Sequence, residues 1–598
     1  MNTGQRKFKA LLMVVFFLFI LFIMTFPLLL HLNKYIPGFY SSDEPFVVLQ
    51  GFWWLKFSFV NHYQWTNEFV KAYPFGIHHD PVGIHPLWFH ISRCISIASN
   101  WVLAYNLPLI LNFIVSFLCM FYLFYYLTRE PFISFFVGIT YSLCPYQFSR
   151  FWQHFALAFT AFLPLYILSL IKLHQYRRLK DILFCALIFS LLVSLELHYA
   201  FFMLITTFLF MFYSIFIKAE PRKMPLVRVY LTTIFFIAVT SVIILNQFLL
   251  RMIFPSTKLI TPSAYTSIRP FADLFAQSAK PLSYLLPATT HPVFGKFTVN
   301  FIGTSLYGES LTEHVLFLGW IPLILAFIGI KRKNLFKTAF QGKDPYITFF
   351  ILLVLVAWIF SQPPWWQFGA LKIYFPSFVI YKIIPAFRAY CRFGIVVMLG
   401  VAILAGFGLG SILKKLKSTR AKFAVTMLFC ILVLFEFWNW PPYKVIDVSK
   451  VPEVYYWLKK QPKDIVVAEY PIDTNGANEM YELYQIVHEK SMINGTIPGT
   501  YPNRIARSIT KLSAQETAAA LAWLGVKYVL VHREDYFNTG LVEDMKDLDR
   551  IPYNRSLSLI KSFPSQECLR EDIACVQKTG PIDVYEIVAL PIEPKVEK

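Results

Sequence analysis

Two adjacent acids, Asp43 and Glu44, followed by Pro45, stand just past the first long apolar run of the chain. A carboxylate beside a membrane can accept a proton from a hydroxyl or amide nucleophile, or hold a divalent cation; the plainer alternative is a solvated turn. Two cationic pairs have the spacing of one helical face: Arg150 with His154, and Arg388 with Arg392, each four residues apart. Guanidinium groups offer a planar fork to phosphate oxygens, so such pairs suit a phosphate; snorkelling to lipid headgroups is the alternative. Histidines gather at His78, His79, His85 and His90, beside Asp80. Their spacing matches no standard ligand set, so hydrogen bonding in a wet loop is the expectation. Cys568 and Cys575 lie close together in the polar tail and form either a disulfide, if that tail is outside the cytoplasm, or two free thiols. The other six cysteines show no C-x-x-C spacing, which argues against metal or redox work.

What must position these residues is a membrane protein. Of 598 residues, 57% are hydrophobic and 15% charged, and mean hydropathy is +0.53. A soluble chain carries about a quarter charged residues. The net charge of +20 is scattered in short clusters between apolar runs, which excludes a nucleic-acid footprint. Crossing about 30 Å of hydrocarbon takes roughly 20 apolar residues. The qualifying runs are 10–30, 103–127, 131–144, 155–173, 182–197, 200–217, 229–250, 315–330, 347–361, 393–413 and 423–438, so about eleven transmembrane helices are expected.

Alternate connections carry Arg6-Lys7-Lys9, Arg129, Arg177-Arg178-Lys180, Arg222-Lys223-Arg228, Lys331-Arg332-Lys333-Lys337 and Lys414-Lys415-Lys417-Arg420-Lys422. All fall on one side, which the positive-inside rule assigns to the cytoplasm. The reading is a multi-pass protein of the plasma membrane with its N-terminus inside and its first run retained as a signal anchor. Three long loops, 31–102, 251–314 and 362–392, then face outward; they are rich in Pro, Trp, Tyr and His, with short amphipathic stretches suited to the interface. Glu196-Leu197-His198 falls at the outer boundary.

After Trp440-Pro441-Pro442 the composition changes, which divides the chain into a membrane part, 1–440, and a soluble extracytoplasmic α/β domain, 441–598. Pro452 opens a short helix. Residues 465–470, 527–532 and 583–588 read as strands, and Ser513 with Glu516 reads as a capping box before a helix over 514–524.

The order of these parts resembles the GT-C superfamily of membrane glycosyltransferases, and in detail the bacterial YfhO-type branch. Asp43-Glu44 stands where that family has an acidic motif, Tyr73-Pro74-Phe75-Gly76 resembles its Y-P-x-G element, and Ser142-Leu143-Cys144-Pro145-Tyr146 with His154 resembles its S-P-Y…H stretch. Asp273-Leu274, Leu286-Pro287 and His291-Pro292 resemble its outer loop before the eighth helix, and Phe387-Arg388-Ala389-Tyr390-Cys391-Arg392-Phe393 its F-R-x-x-x-R-F element. Many relatives begin the acidic element with Gly-Asp; here Ser42 precedes Asp43, which leaves open whether Asp43 or Glu44 is the catalytic acid's counterpart.

The resemblance implies inverting transfer of a sugar from a polyprenyl-phosphate donor to an envelope glycan, lipid or protein outside the cytoplasm. It implies the acidic pair as base and Arg150, His154, Arg388 and Arg392 around the donor phosphate, with Tyr73 and His291 as further site residues. Metal dependence varies in the superfamily, so a divalent cation, Mg or Mn, stays open. Two other classes compete. A transporter or flippase would place charges or broken helices near the bilayer midplane, often in repeated halves, and few midplane charges and no halves are seen. A non-catalytic assembly protein would leave Asp43 dispensable.

Overall fold

The computed structural model describes residues 3–38, 44–78, 86–215, 225–253, 270–308, 312–331, 345–385, 387–438, 445–472, 477–497, 500–570 and 573–592. Asp43, His79, Asp80, His85 and the expected boundary at 440 lie outside them.

Each apolar run holds a helix. They are Thr3–Thr25, Trp101–Thr128, Pro131–Ser142, Phe162–Tyr176, Leu179–Leu195, Leu197–Ser214, Leu226–Ile253, Trp320–Lys331, Pro345–Phe360, Gly394–Leu413 and Thr419–Glu436. Among the described residues three helical segments are long and apolar enough to cross a membrane, Trp101–Thr128, Leu197–Ser214 and Tyr390–Leu413, and four more are apolar but shorter. Polar caps start several of them. Asn100 accepts from the Leu103 amide (2.7 Å), and Ser418 from the Ala421 amide (3.4 Å), filling donors that the first helical turn leaves open.

Two expected helices start late. The run at 155–173 opens with a short 3-10 turn, Ala156–Ala158, before its helix. The run at 315–330 becomes helical only at Trp320, where both Glu436 oxygens accept from the Ile321 amide at 3.1 Å. That carboxylate caps the helix from another element, and the chain before it, 312–319, is turn and irregular backbone that carries Glu313.

The helix Gly394–Leu413 is the hub, buried along most of its length. Glycine allows its closest contact: a Cβ on Gly408 would lie 1.8 Å from the Leu325 carbonyl oxygen, and one on Gly329 would lie 2.6 Å from that of Leu404. Small residues of this kind let membrane helices approach backbone to backbone.

The C-terminal strands form one mixed sheet in the order Leu557–Phe563, Ile582–Ile587, Val526–His532, Val466–Tyr470, Ser491–Met492. Val466–Tyr470, paired on both edges and covered on both faces, is buried throughout, whereas the edge strand Leu557–Phe563 is largely exposed and carries Lys561. The expected capping box at Ser513 does not form. The helix is Gln515–Trp523, its N-cap is Ala514 without a side-chain bond, and Asp547 takes the amides of Leu512 and Ser513, both at 3.0 Å. A tertiary carboxylate has displaced the local motif.

The segment that follows the first helix is sewn into this C-terminal region. Tyr35–Pro37 pairs antiparallel with Val445–Asp447, which pairs parallel with Ala574–Cys575. The backbone of 70–73 lies along Ser491–Met492: Met492 donates to Val70 (2.9 Å), Tyr73 to Met492 (3.0 Å) and Ala72 to Asn494 (2.9 Å). The helix Glu44–Val60 packs on the helix Ala477–His488. Between them lies a buried seam, in which the Gln50 side chain donates to Glu68 (2.6 Å) and Gln485 (2.9 Å). Lys71 donates to Glu482 (2.8 Å) and faces Glu68 at 3.6 Å. Burial works against the Lys71 charge, but Glu482 and Glu68 outweigh it and hold the ammonium above the ordinary lysine value.

Candidate active site

Four helix ends meet at one place. The helix Glu44–Val60 begins there, with Glu44 in its first turn. The short helix Pro145–Gln153 ends there, carrying Arg150 in its last turn and His154 as its C-cap. Leu197–Ser214 begins there with Glu196 as N-cap, and the turn Tyr390–Phe393 leads into Gly394–Leu413. The sequence reading places all four on the outer side.

At the centre is Glu313, which sequence reasoning missed. Its carboxylate receives Arg150 Nη2 at 2.7 Å and Arg392 Nη2 at 2.7 Å, from opposite sides. Arg392 Nε adds a contact at 3.2 Å, and the Cys391 thiol donates at 3.2 Å. Burial alone would raise the Glu313 carboxyl, but the two guanidiniums override it and hold it well below the usual carboxylate range.

Arg150 has no solvent exposure and lies over the Tyr146 ring, 4.8 Å from its centroid. Its Nε and Nη1 have no hydrogen-bond partner among the described residues. Two guanidiniums thus face one carboxylate, and Arg150 keeps N–H groups unspent.

His154 links this centre to the acid. Its Nδ1 is 2.6 Å from Glu44 Oε2, and its Nε2 is 3.7 Å from Glu313 Oε1. A second histidine sits opposite. Arg392 Nη1 donates to His198 Nε2 at 3.2 Å, so that nitrogen carries the lone pair and Nδ1 carries the proton, which it gives to Glu196. The Glu196-Leu197-His198 step at the outer boundary therefore belongs to the cluster. Glu44 forms its accessible rim, with its side chain 43% exposed.

Of the expected site residues, Glu44, Arg150, His154 and Arg392 come together. Arg388 pairs instead with Asp273 at 2.8 Å, partly exposed. Tyr73 belongs to the sheet edge, packed against the smaller C-terminal core. His291 caps backbone: Nδ1 accepts from Val293 and Phe294, both at 3.1 Å, and Nε2 donates to Phe435 at 2.9 Å. Burial lowers its pKa, in keeping with a neutral ring. Cys568 and Cys575 are joined in a disulfide. Among the described residues no three His, Cys, Asp or Glu side chains are arranged to hold a metal ion; Asp43, next to Glu44, is outside that set. The signal for Glu313 was present in the sequence: an acid directly before an apolar run on the outer side of an acid-poor chain.

No protein-family model matches this chain, and no curated protein sequence does. Solved structures do. The arabinofuranosyltransferase AftD from Mycobacteria aligns with a TM-score of 0.55 at 12% identity, over 98% of this chain and 40% of its own. The Archaeoglobus fulgidus oligosaccharyltransferase, tethered with an acceptor peptide containing the NVT sequon, aligns with a TM-score of 0.50 at 11% identity, over 94% of this chain and 74% of its own. This chain spans about two fifths of the length of the mycobacterial protein. At these identities the likeness shows a shared fold.

Proposed function

We propose that this chain is a multi-pass membrane glycosyltransferase that moves a sugar from a polyprenyl-phosphate carrier to an acceptor outside the cytoplasm. About eleven spans place the N-terminus inside, and the long loops and the C-terminal sheet outside. The observation that carries this reading is the meeting of Glu44, His154 and the Arg150–Glu313–Arg392 centre at the ends of four helices, in a fold shared with two glycosyltransferases.

The chemistry follows from the arrangement. A carboxylate of the Asp43–Glu44 pair takes the proton of the acceptor hydroxyl as that oxygen bonds to the anomeric carbon. The bond from that carbon to the phosphate oxygen breaks, and its electron pair leaves with the phosphate. The guanidiniums of Arg150 and Arg392, with the N–H groups that Arg150 keeps open, stabilise this leaving group. A single displacement inverts the anomeric centre. His154, touching Glu44 and facing Glu313, holds the acid in register with the cationic centre.

A deletion strain tests the reading. Mass spectrometry of its lipid-linked sugars and envelope glycans should show a polyprenyl-phosphate sugar accumulating and one glycan residue missing. Wild-type protein should restore the glycan, and the Asp43→Asn/Glu44→Gln double variant should not. Identical lipid and glycan profiles with and without the gene would remove the transferase assignment.

A further inference from the structure

Between the helix Pro345–Phe360 and the candidate span that starts at Tyr390, the chain forms a hairpin, Trp365–Phe368 with Leu371–Tyr374, and a helix, Pro376–Ile383. Gly369 supplies the left-handed turn, at φ +60°. Strand side chains alternate between faces, and the register pairs Trp366 with Ile373 and Phe368 with Leu371 on one face. The other face carries Trp365, Gln367, Lys372 and Tyr374.

Each face is anchored on protein by one tryptophan: Trp365 lies 4.9 Å from the Phe275 ring and 5.7 Å from that of Phe271, and Trp366 lies 5.6 Å from Trp358. The far end of the all-apolar face is open, with Phe368 and Leu371 each 61% exposed. The helix that follows adds Val379 and Ile383, one turn apart and 56% and 73% exposed. A two-stranded hairpin with an uncovered apolar face is unfavourable in water.

Its place in the chain names what covers it. Only residues 361–364 separate the hairpin from Phe360, a reach of at most about 14 Å. The helix ends at Ile383, a short step before Tyr390. The module is thus tethered at both ends to membrane helices. Lys372 lies 4.9 Å over the Trp365 ring and Lys382 4.3 Å over that of Phe378, as cationic side chains do where aromatic rings meet headgroups.

We infer, on the membrane reading above, that the hairpin 365–374 and the helix 376–383 form a lipid-docking module. Its Trp366–Phe368–Leu371–Ile373 face and Val379–Ile383 stripe enter the outer leaflet, while Lys372 and Lys382 meet anionic headgroups. The module leads directly into Arg388 and Arg392, so a lipid-linked donor moving in the leaflet passes it on the way to the cationic centre.

The full-length protein, with the exposed Cys94 changed to Ser, is labelled with an environment-sensitive fluorophore at Leu371→Cys or Ile383→Cys, and at Ser558→Cys on the edge strand as control. It is reconstituted in nanodiscs of phosphatidylethanolamine and phosphatidylglycerol, with or without acyl-chain spin-labelled lipid. Labels at 371 and 383 should emit at shorter wavelength, lose at least half their intensity to the spin-labelled lipid and resist aqueous iodide. The label at 558 should do the reverse. Iodide quenching at 371 and 383 would overturn the inference, and so would protection from both quenchers, the mark of a protein surface covering the face. Since this readout needs no transfer reaction, it stands apart from the transferase assignment. If transfer occurs, Leu371→Asp/Ile383→Asp should raise KM for a long-chain donor roughly tenfold, the order expected for lost apolar burial, and leave a short-chain donor unaffected.

Discussion

Two clusters of paired charges lie within the folded chain, one centred on an ammonium and the other on a carboxylate. In the seam, one ammonium, Lys71, faces two carboxylates, Glu68 and Glu482, and the amides of Gln50 and Gln485 close the network. In the candidate site, one carboxylate, Glu313, faces two guanidiniums, and Arg150 keeps two N–H groups without partners among the described residues. The seam is shut from solvent on every side. The site opens through Glu44, His154 and His198, whose side chains are all partly exposed. Buried charge alone therefore does not mark a working site. Guanidinium N–H groups left open beside a reachable acid do, because that combination suits an anionic group on one substrate and a nucleophile on another.

The comparison breaks most readily under truncation. Lys71→Met leaves two carboxylates buried without their cation and should destabilise the protein by about 3–5 kcal/mol, read from denaturant unfolding in detergent. Glu313→Ala strands two guanidiniums and should cost a similar amount. Inorganic phosphate should then return part of the stability to Glu313→Ala and none to Lys71→Met, because a ligand stabilises only the form that binds it. Equal rescue, or none in either, would erase the distinction between the clusters.

Next in size is the acid. Asp43→Asn or Glu44→Gln preserves shape and removes proton affinity, and one of the two should slow transfer by roughly 100-fold or more in reconstituted protein. Wild-type rates in both would take catalysis away from this loop. The arginines then separate. Arg392→Ala should weaken donor binding by about 1.5–3 kcal/mol, the range for charged hydrogen bonds. Arg388→Ala, which breaks a partly exposed pair with Asp273, should change it by less than about 1 kcal/mol. Titration calorimetry with a polyprenyl-phosphate sugar decides, and equal losses would bring Arg388 into the centre.

The smallest expected effect is a constancy. The Glu313 carboxyl is held below its unfolded value, near 4.3, so its contribution to stability is complete above that pH. The contribution fades only as pH falls through the depressed folded value. Stability attributable to Glu313, taken as wild type minus Glu313→Gln, should therefore stay flat between pH 7 and pH 5. A decline across that window would mean the guanidiniums do not control the carboxylate.

The helices were legible because membrane spanning is a matter of length and composition, both local properties; every expected apolar run holds a helix. The strands at 466–470, 526–532 and 582–587 were legible for the same reason. What failed was whatever another element supplies. Ser513 lost its capping role to Asp547, and the helix at 320 starts where Glu436 caps it. In the site, Arg150, His154, Glu44 and Arg392 stood out because charge is scarce at membrane boundaries. Glu313 meets Arg150 across 163 residues, and Lys71 meets Glu482 across 411; no periodicity encodes such pairings.

The three-stranded ribbon of Tyr35–Pro37, Val445–Asp447 and Ala574–Cys575 also sets a clock. The first strand leaves the ribosome first, its central neighbour follows only after the helices of residues 101–436, and the third comes last of the three. The bundle can insert and pack before the helix that carries Glu44 is anchored from behind. The ribbon therefore closes only once residue 575 has been made, and the early segment that leads to Glu44 gains its sheet anchor after the helices it stands on.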